Sequence, residues 1–109
     1  MIRVNESYVR EANDKIKWEL SYDGLDEEDI EEGCGWYVAT LGENPNNGNR
    51  CFASIGVSPD YADVEVWING SFGNYTLDKR EGKSASAMKS YVQKNLSNYL
   101  GKLERWDDN

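Results

Sequence analysis

The side chains best suited to chemistry in this sequence are carboxylates. Between Asp23 and Glu32, seven of ten residues are acidic and none is basic. Two more carboxylates, Asp63 and Glu65, alternate along a later segment that continues to Trp67. Carboxylates serve as general acids and bases, bind hard cations, or attract basic partners. The residues that accompany them decide among these three chemistries.

Acid–base and nucleophilic catalysis are poorly supported. The sequence contains no histidine, which removes the usual general base at neutral pH and the commonest transition-metal ligand. Paired carboxylates could still hydrolyse a glycosidic bond, but no pair stands out from the pattern. Cys34 and Cys51 lack C-x-x-C spacing, and no base lies near Cys34 in the sequence. We therefore expect no enzymatic activity, no cofactor and two free thiols.

Calcium binding is the next alternative for an acidic loop. The run from Asp23 to Glu32 does not fit the EF-hand pattern, because Gly24 is misplaced. Apolar Leu25 and Ile30 also interrupt the alternation of oxygen ligands. We therefore expect no metal site in this segment.

The net charge of −8 is unevenly distributed along the chain. Residues 19–78 contain thirteen acidic residues and one base, Arg50, whereas the remaining residues carry a net charge of +4. Acidic surfaces often serve solubility alone. However, a cluster of like charges destabilises a fold by self-repulsion, and a basic partner relieves that cost. The uneven charge distribution favours a basic protein partner. It disfavours nucleic acid, because the basic residues of the C-terminal third are dispersed.

The elements expected around these residues form an α+β fold. At 109 residues the chain has room for one core, and we expect a single domain over residues 1–109. Alternation of apolar and polar residues predicts an antiparallel meander of four or five strands. The predicted strands are Ile16–Tyr22, Trp36–Leu41, Cys51–Val57, Ala62–Asn69 and Tyr75–Lys79. From Ser84 or Ser86 a long helix begins, and its apolar stripe is wide enough to pack on one sheet face.

Three local features are less uniform. Residues 2–12 fit either an edge strand or a short helix, and we favour a helix or irregular arm. The acidic run reads as a loop with one helical turn beginning at Asp26. Asn69-Gly70 is a hairpin turn signal. In the fourth strand, Val64 alternates with Asp63, Glu65 and Trp67, so the acidic residues and Trp67 share a face that either points outward or lies under the helix.

In outline the chain resembles the small acidic proteins that phages and mobile elements encode against host defence, the anti-CRISPR and anti-restriction inhibitors. The features that carry this resemblance are the short length, the acidic block from Asp26 to Glu32, and strands followed by a terminal helix. The resemblance implies a stoichiometric inhibitor that masks a nucleic-acid-binding surface. The mildly basic helix differs from an inhibitor that is acidic on all sides, so one face would mimic nucleic acid.

The sequence therefore predicts a non-enzymatic inhibitor that binds a basic surface of a host defence nuclease. Because no signal peptide or membrane span is evident, we expect it to act in the cytoplasm as a monomer or homodimer. The alternatives are an immunity protein against a basic toxin and a virion assembly protein. The predicted partner-binding residues are Asp26, Glu27, Glu28, Asp29, Glu31, Glu32, Asp63, Glu65 and Trp67.

Overall fold

The structure, a computed structural model, describes residues 16–106 and consists of one antiparallel sheet and two helices. The five strands follow one another as a meander in the order β1 to β5, which confirms the predicted α+β class. The alternatives weighed for residues 2–12 lie outside the described residues. In chain order the elements are β1 (Glu19–Ser21), α1 (Glu27–Glu31), β2 (Gly35–Glu43), β3 (Arg50–Ser58), β4 (Tyr61–Gly70), β5 (Gly73–Gly82) and α2 (Ala85–Arg105).

Helix α2 forms the second layer. Its N-cap is Ser84, whose Oγ accepts a hydrogen bond of 3.1 Å from the Ala87 amide. Ser84 was one of the two residues predicted to begin the helix. Its buried stripe packs on the sheet and completes a single core. Each fully buried aliphatic side chain of this kind contributes about 1.5–3 kcal/mol. The stripe consists of Met88, Val92, Leu96, Tyr99, Leu100 and Leu103.

The two faces of the sheet differ sharply. On the inner face, which packs against α2, Val64, Val66 and Ile68 of β4 are buried. On the outer face, Asp63 and Glu65 alternate with these residues and remain partly exposed. The alternation in the sequence thus assigned β4 correctly, and α2 lies on the side away from the acidic residues. Among residues 16–106, no second layer covers the outer face.

Some predicted boundaries were wrong. β1 contains three residues rather than seven, because only Glu19–Ser21 pair with β2, although Trp18 still packs against the core. β5 is longer than predicted and pairs with β4 as far as Gly82. The hairpin turn is not at Asn69-Gly70. Pairing continues to Gly70 and Gly73, so Ser71 and Phe72 form the turn.

The asparagine-rich turn between β2 and β3 has a structural role. Asn44 is fully buried, and its Nδ2 donates to the carbonyl oxygens of Leu103 and Glu104 at 3.3 and 3.5 Å. Asn47 Nδ2 donates to the Trp106 carbonyl at 3.4 Å. These bonds give additional donors to carbonyls at the end of α2, where Leu103 also accepts a hydrogen bond from the Trp106 amide. Within residues 16–106, neither helix is both long enough and apolar enough to cross a bilayer.

Candidate functional site

The acidic segment forms a short helix at one end of the sheet. The predicted helical turn at Asp26 is confirmed, because Asp26 Oδ1 accepts a 2.9 Å hydrogen bond from the Asp29 amide. Glu27, Glu28 and Asp29 occupy the first turn of α1, where negative charge complements the helix dipole. Asp26 is therefore a structural cap. Glu31 ends the helix and Glu32 follows it as the C-cap residue, both exposed to solvent.

The outer face of the sheet is organised as rows across the strands. One row runs from Trp36 on β2 through Gly56 on β3 and Asp63 on β4 to Glu81 on β5. The next row contains Val38, Ser54, Glu65 and Lys79, and a further row contains Thr40, Phe52, Trp67 and Thr76. The outer face therefore alternates aromatic groups with carboxylates.

Trp36 is an exposed aromatic side chain of this face. Its exposed fraction is 41%, whereas Trp67 is partly buried. The Trp36 ring lies across Gly56, because a Cβ placed on Gly56 would be 2.9 Å from Trp36 Cζ3 and 2.7 Å from Asp63 Oδ1. Only glycine leaves room for the indole and the carboxylate to approach each other over the sheet.

Trp36 lines two surface depressions. One, of about 330 Å³, is lined by Asp63, Glu65 and Glu81 and also by Lys79 and Arg80. The other, of about 340 Å³, is lined by Asp29 and Asp63, together with Tyr61. Asp63 thus contributes to both. The fold brings one residue of the acidic helix and the acidic face of β4 to the same depression, although they are distant in the sequence.

The charges around the first depression are only partly compensated. Lys79 Nζ lies 3.3 Å from Glu65 Oε2, but Asp63 and Glu81 have no ion-pair partner among residues 16–106. Arg80 is directed to the inner side, where its guanidinium lies 4.6 Å from the centre of the Tyr91 ring. The charge of Asp63, with smaller contributions from burial and from Glu81, raises the pKa of Tyr61. The two carboxylates therefore produce a negative field that reaches a neighbouring side chain.

The predicted site residues fall into two groups. Asp29, Asp63 and Glu65 line the depressions beside Trp36, whereas Trp67 lines neither of them. Trp67 lies on the outward-pointing face, which was one of the two alternatives given by the sequence. Its ring packs on Phe52, with the ring centroids 5.7 Å apart. Glu27 and Glu28 remain exposed on α1.

This surface also contains Trp36, Tyr61 and Glu81, which were not among the site residues predicted from the sequence. The alternation in β4 contained a signal for Tyr61, because it has the same parity as Asp63 and Glu65. β2 gave no such signal. Both faces of β2 carry apolar or aromatic residues that are compatible with burial, with Trp36 and Val38 on one face and Tyr37 and Ala39 on the other.

The two cysteines are free and differ in environment. Cys34 is partly exposed and lines the depression that contains Asp29 and Asp63. Cys51 is fully buried in the core, and this burial raises the pKa of its thiol to about 12. Within the described residues, no three Cys, Asp or Glu side chains are grouped so that they could hold a metal ion.

Comparisons with known proteins gave no relative for this chain: no family model, no curated protein and no solved structure matches it.

Proposed function

We propose that the protein is a non-enzymatic inhibitor that binds the basic, nucleic-acid-binding surface of a host defence nuclease in the cytoplasm. The observation that carries this proposal is the convergence of Asp29 and Asp63 on one depression beside Trp36. Helix α1 and the outward-pointing carboxylates of β4 are thereby parts of one continuous surface, which we name the acidic face. It comprises Asp29, Asp63, Glu65 and Glu81, which line the two depressions, and we include the exposed Glu31 and Glu32 at the end of α1.

Charge and position both support this function. Nucleic-acid-binding grooves take much of their affinity from phosphate charge, so a rigid array of carboxylates competes for the same lysines and arginines. Helix α2 carries Lys89, Lys94 and Lys102 on the opposite side of the sheet from Asp63. The resulting dipole orients the protein as it approaches a basic partner and increases the association rate at low salt.

Aromatic groups among the carboxylates add a second argument. Trp36 and Tyr61 are 41% and 42% exposed, and they border the charges rather than lying apart from them. Large aromatic side chains at an interface bury area with little loss of side-chain entropy, and they often dominate its binding energy. An acidic face that served solubility alone would not need them.

The proposal is tested with purified CRISPR effector complexes and restriction enzymes, by measuring their binding to labelled DNA with and without this protein. We expect at least one effector to lose DNA binding, and the inhibition to weaken as salt rises from about 50 to about 300 mM because screening shortens the range of the field. If no effector loses DNA binding at either salt concentration, the proposal is refuted.

A double charge reversal identifies the surface involved. Glu31→Lys with Glu32→Lys should weaken inhibition by about tenfold or more, because it places cations on the acidic face. Positive charge at this end of α1 complements the helix dipole, so folding should be preserved. The control is Glu43→Lys with Glu104→Lys at the opposite end of the sheet. Because Glu43→Lys also removes an exposed 3.4 Å ion pair with Arg50, thermal melting verifies that this variant is folded. Equal inhibition by the two double variants would contradict the proposed surface.

The same assay separates the two alternative functions. A basic ribonuclease toxin serves as a second target, and its selective inhibition would indicate an immunity protein rather than an inhibitor of defence. Sedimentation velocity over a range of concentrations tests virion assembly, since an inhibitor should remain a monomer or dimer. Growth of larger assemblies with concentration would favour the structural role.

A further inference from the structure

We propose that the outer face of the sheet binds an arginine side chain of the partner, with its guanidinium stacked on Trp36 and paired with Asp63 and Glu81. This inference rests on the proposed function and names the chemical group that the acidic face recognises. The proposed arginine site consists of the depression of about 330 Å³ beside Trp36.

Asp63 and Glu81 form a pair of like charges with no ion-pair partner among residues 16–106. Asp63 and Glu81 are direct cross-strand partners on β4 and β5. Like charges in this relationship destabilise a sheet, because their Cβ atoms are only about 4.5–5.5 Å apart. The next outward-facing pair, Glu65 and Lys79, is compensated within the chain at 3.3 Å. A cation placed between Asp63 and Glu81 would give the first pair the same balance.

The two basic residues of β5 are engaged elsewhere. Of the basic residues on β5, Lys79 is engaged by Glu65, and the Arg80 guanidinium lies over Tyr91 on the other side of the sheet. Among residues 16–106, no basic side chain forms an ion pair with Asp63 or Glu81. The described part of the chain therefore supplies no cation to this pair, and we assign that role to a partner.

The exposed aromatic ring beside the carboxylates favours arginine over lysine. Trp36 presents an exposed indole beside the carboxylates, and Gly56 lets the ring lie close to Asp63. A guanidinium is planar, stacks on an aromatic face and donates to two acceptors in fixed directions. An ammonium group is a more strongly hydrated point charge that matches carboxylates but gains less from stacking. The combination of an indole with two carboxylates thus fits arginine better.

The experiment titrates the full chain with oligo-arginine and oligo-lysine peptides of equal length, with the indole N–H signal of Trp36 followed by NMR. That signal is assigned from Trp36→Phe. We expect the arginine peptide to bind about fivefold to tenfold more tightly than the lysine peptide, and to shift the Trp36 signal. Equal affinity for the two peptides, or an unshifted Trp36 signal, would overturn the inference.

Variants test the assigned residues. Trp36→Leu, and separately Asp63→Asn with Glu81→Gln, should each weaken the arginine peptide by about fivefold or more, while Trp36→Phe retains part of the preference. The matched control, Glu43→Gln with Glu104→Gln, removes two charges from the far end of the sheet and should change affinity by less than about twofold. Thermal melting verifies that each variant is folded. If the variants at the site bind as well as this control, the site is wrong.

The outcome is distinguishable from failure of the proposed function. If Glu31→Lys with Glu32→Lys abolishes nuclease inhibition but Trp36→Leu has no effect on either assay, the inhibitor function stands and the arginine site fails. If the arginine peptide binds at Trp36 but no effector is inhibited, the site stands and the proposed target class fails.

Discussion

Trp36 packs over Gly56 on the neighbouring strand, and the space that holds the indole is the space a Cβ would occupy. A Cβ on Gly56 would lie 2.9 Å from Trp36 Cζ3, well inside van der Waals contact. This pairing holds an exposed aromatic ring beside Asp63 without any covering layer among residues 16–106. It is therefore the contact on which the shape of the acidic face depends.

Replacement of Gly56 by alanine should displace the indole. Gly56→Ala requires Trp36 or Asp63 to move, and steric overpacking costs about 1–3 kcal/mol, against about 0.5–1 kcal/mol gained from replacing glycine in a strand. We expect a net loss of about 1 kcal/mol in the free energy of unfolding, measured by urea denaturation, and a changed Trp36 NMR signal.

Gly101→Ala is the control for this change. Gly101 lies in α2, and its added Cβ would meet only the far end of the Arg105 side chain, at 3.3 Å. Alanine should stabilise the helix there by about 0.5–1 kcal/mol. If both substitutions stabilise the protein equally, the close packing of Trp36 on Gly56 has no energetic consequence.

A carboxylate at the sheet–helix interface should make stability depend on pH. Asp78 Oδ2 accepts hydrogen bonds of 2.7 Å from the hydroxyls of both Tyr91 and Tyr99. Burial raises the pKa of Asp78, but the hydrogen bonds from Tyr99 and Tyr91 lower it. The Lys79 amide and the Lys102 charge lower it further, so the pKa of Asp78 lies below its ordinary value.

Because the folded state has the lower pKa, the unfolded chain binds more protons in acid. The stabilisation by the Asp78 charge is complete above the unfolded pKa of about 4 and is lost as pH falls through the folded value. We expect the stability difference between the parent and Asp78→Asn to shrink as pH is lowered from about 5 to about 2. Urea denaturation at several pH values measures this difference in the free energy of unfolding. A difference that does not change with pH would show that the Asp78 charge does not contribute to stability.

Truncation of Asp78 should cost more than its neutralisation. Asp78→Ala removes the acceptor of two hydroxyls, and Tyr99 is almost fully buried, so its hydroxyl cannot reach solvent. An unsatisfied buried donor costs about 1–3 kcal/mol. The expected order of stability at neutral pH is therefore parent, Asp78→Asn, Asp78→Ala. In the background of Tyr99→Phe with Tyr91→Phe, Asp78→Ala should cost much less.

The buried Asn44 should be essential to the end of α2. Asn44→Ala removes the donor to Leu103 and Glu104 and the acceptor of the Asn46 amide, which lies 2.9 Å from Asn44 Oδ1. Loss of these bonds in a buried position should cost about 2 kcal/mol in the free energy of unfolding. Asn46→Ala, an exposed change in the same turn, should stay within about 0.5 kcal/mol of the parent. Comparable losses in the two variants would argue against the capping role.

The two thiols should react at very different rates. Cys34 is partly exposed, whereas Cys51 is fully buried with its pKa raised to about 12, so its thiolate is scarce at pH 8. Under native conditions, iodoacetamide should label Cys34 alone, and mass spectrometry of peptides reports this directly. In denaturant both residues should be labelled. Native labelling of Cys51 at the rate of Cys34 would show that the core opens readily.

The sequence by itself determined the layers of this protein. The regular alternation in β4 placed Val64 and Asp63 on opposite faces, and the helical stripe beginning after Ser84 required an apolar sheet face beneath it. These features are set by local periodicity, since side chains alternate along a strand and recur every three or four residues along a helix. The acidic composition of residues 19–78 is likewise visible without a structure.

Only the tertiary structure decided which residues meet. Asp29 and Asp63 come together because the ends of β2, β3 and β4 lie side by side, and no local pattern encodes that register. Trp36, rather than Trp67, occupies the centre of the acidic face because β2 has large apolar residues on both faces and Gly56 opens a space on β3. Proximity of this kind arises from strand pairing over long sequence separations, which periodicity cannot report.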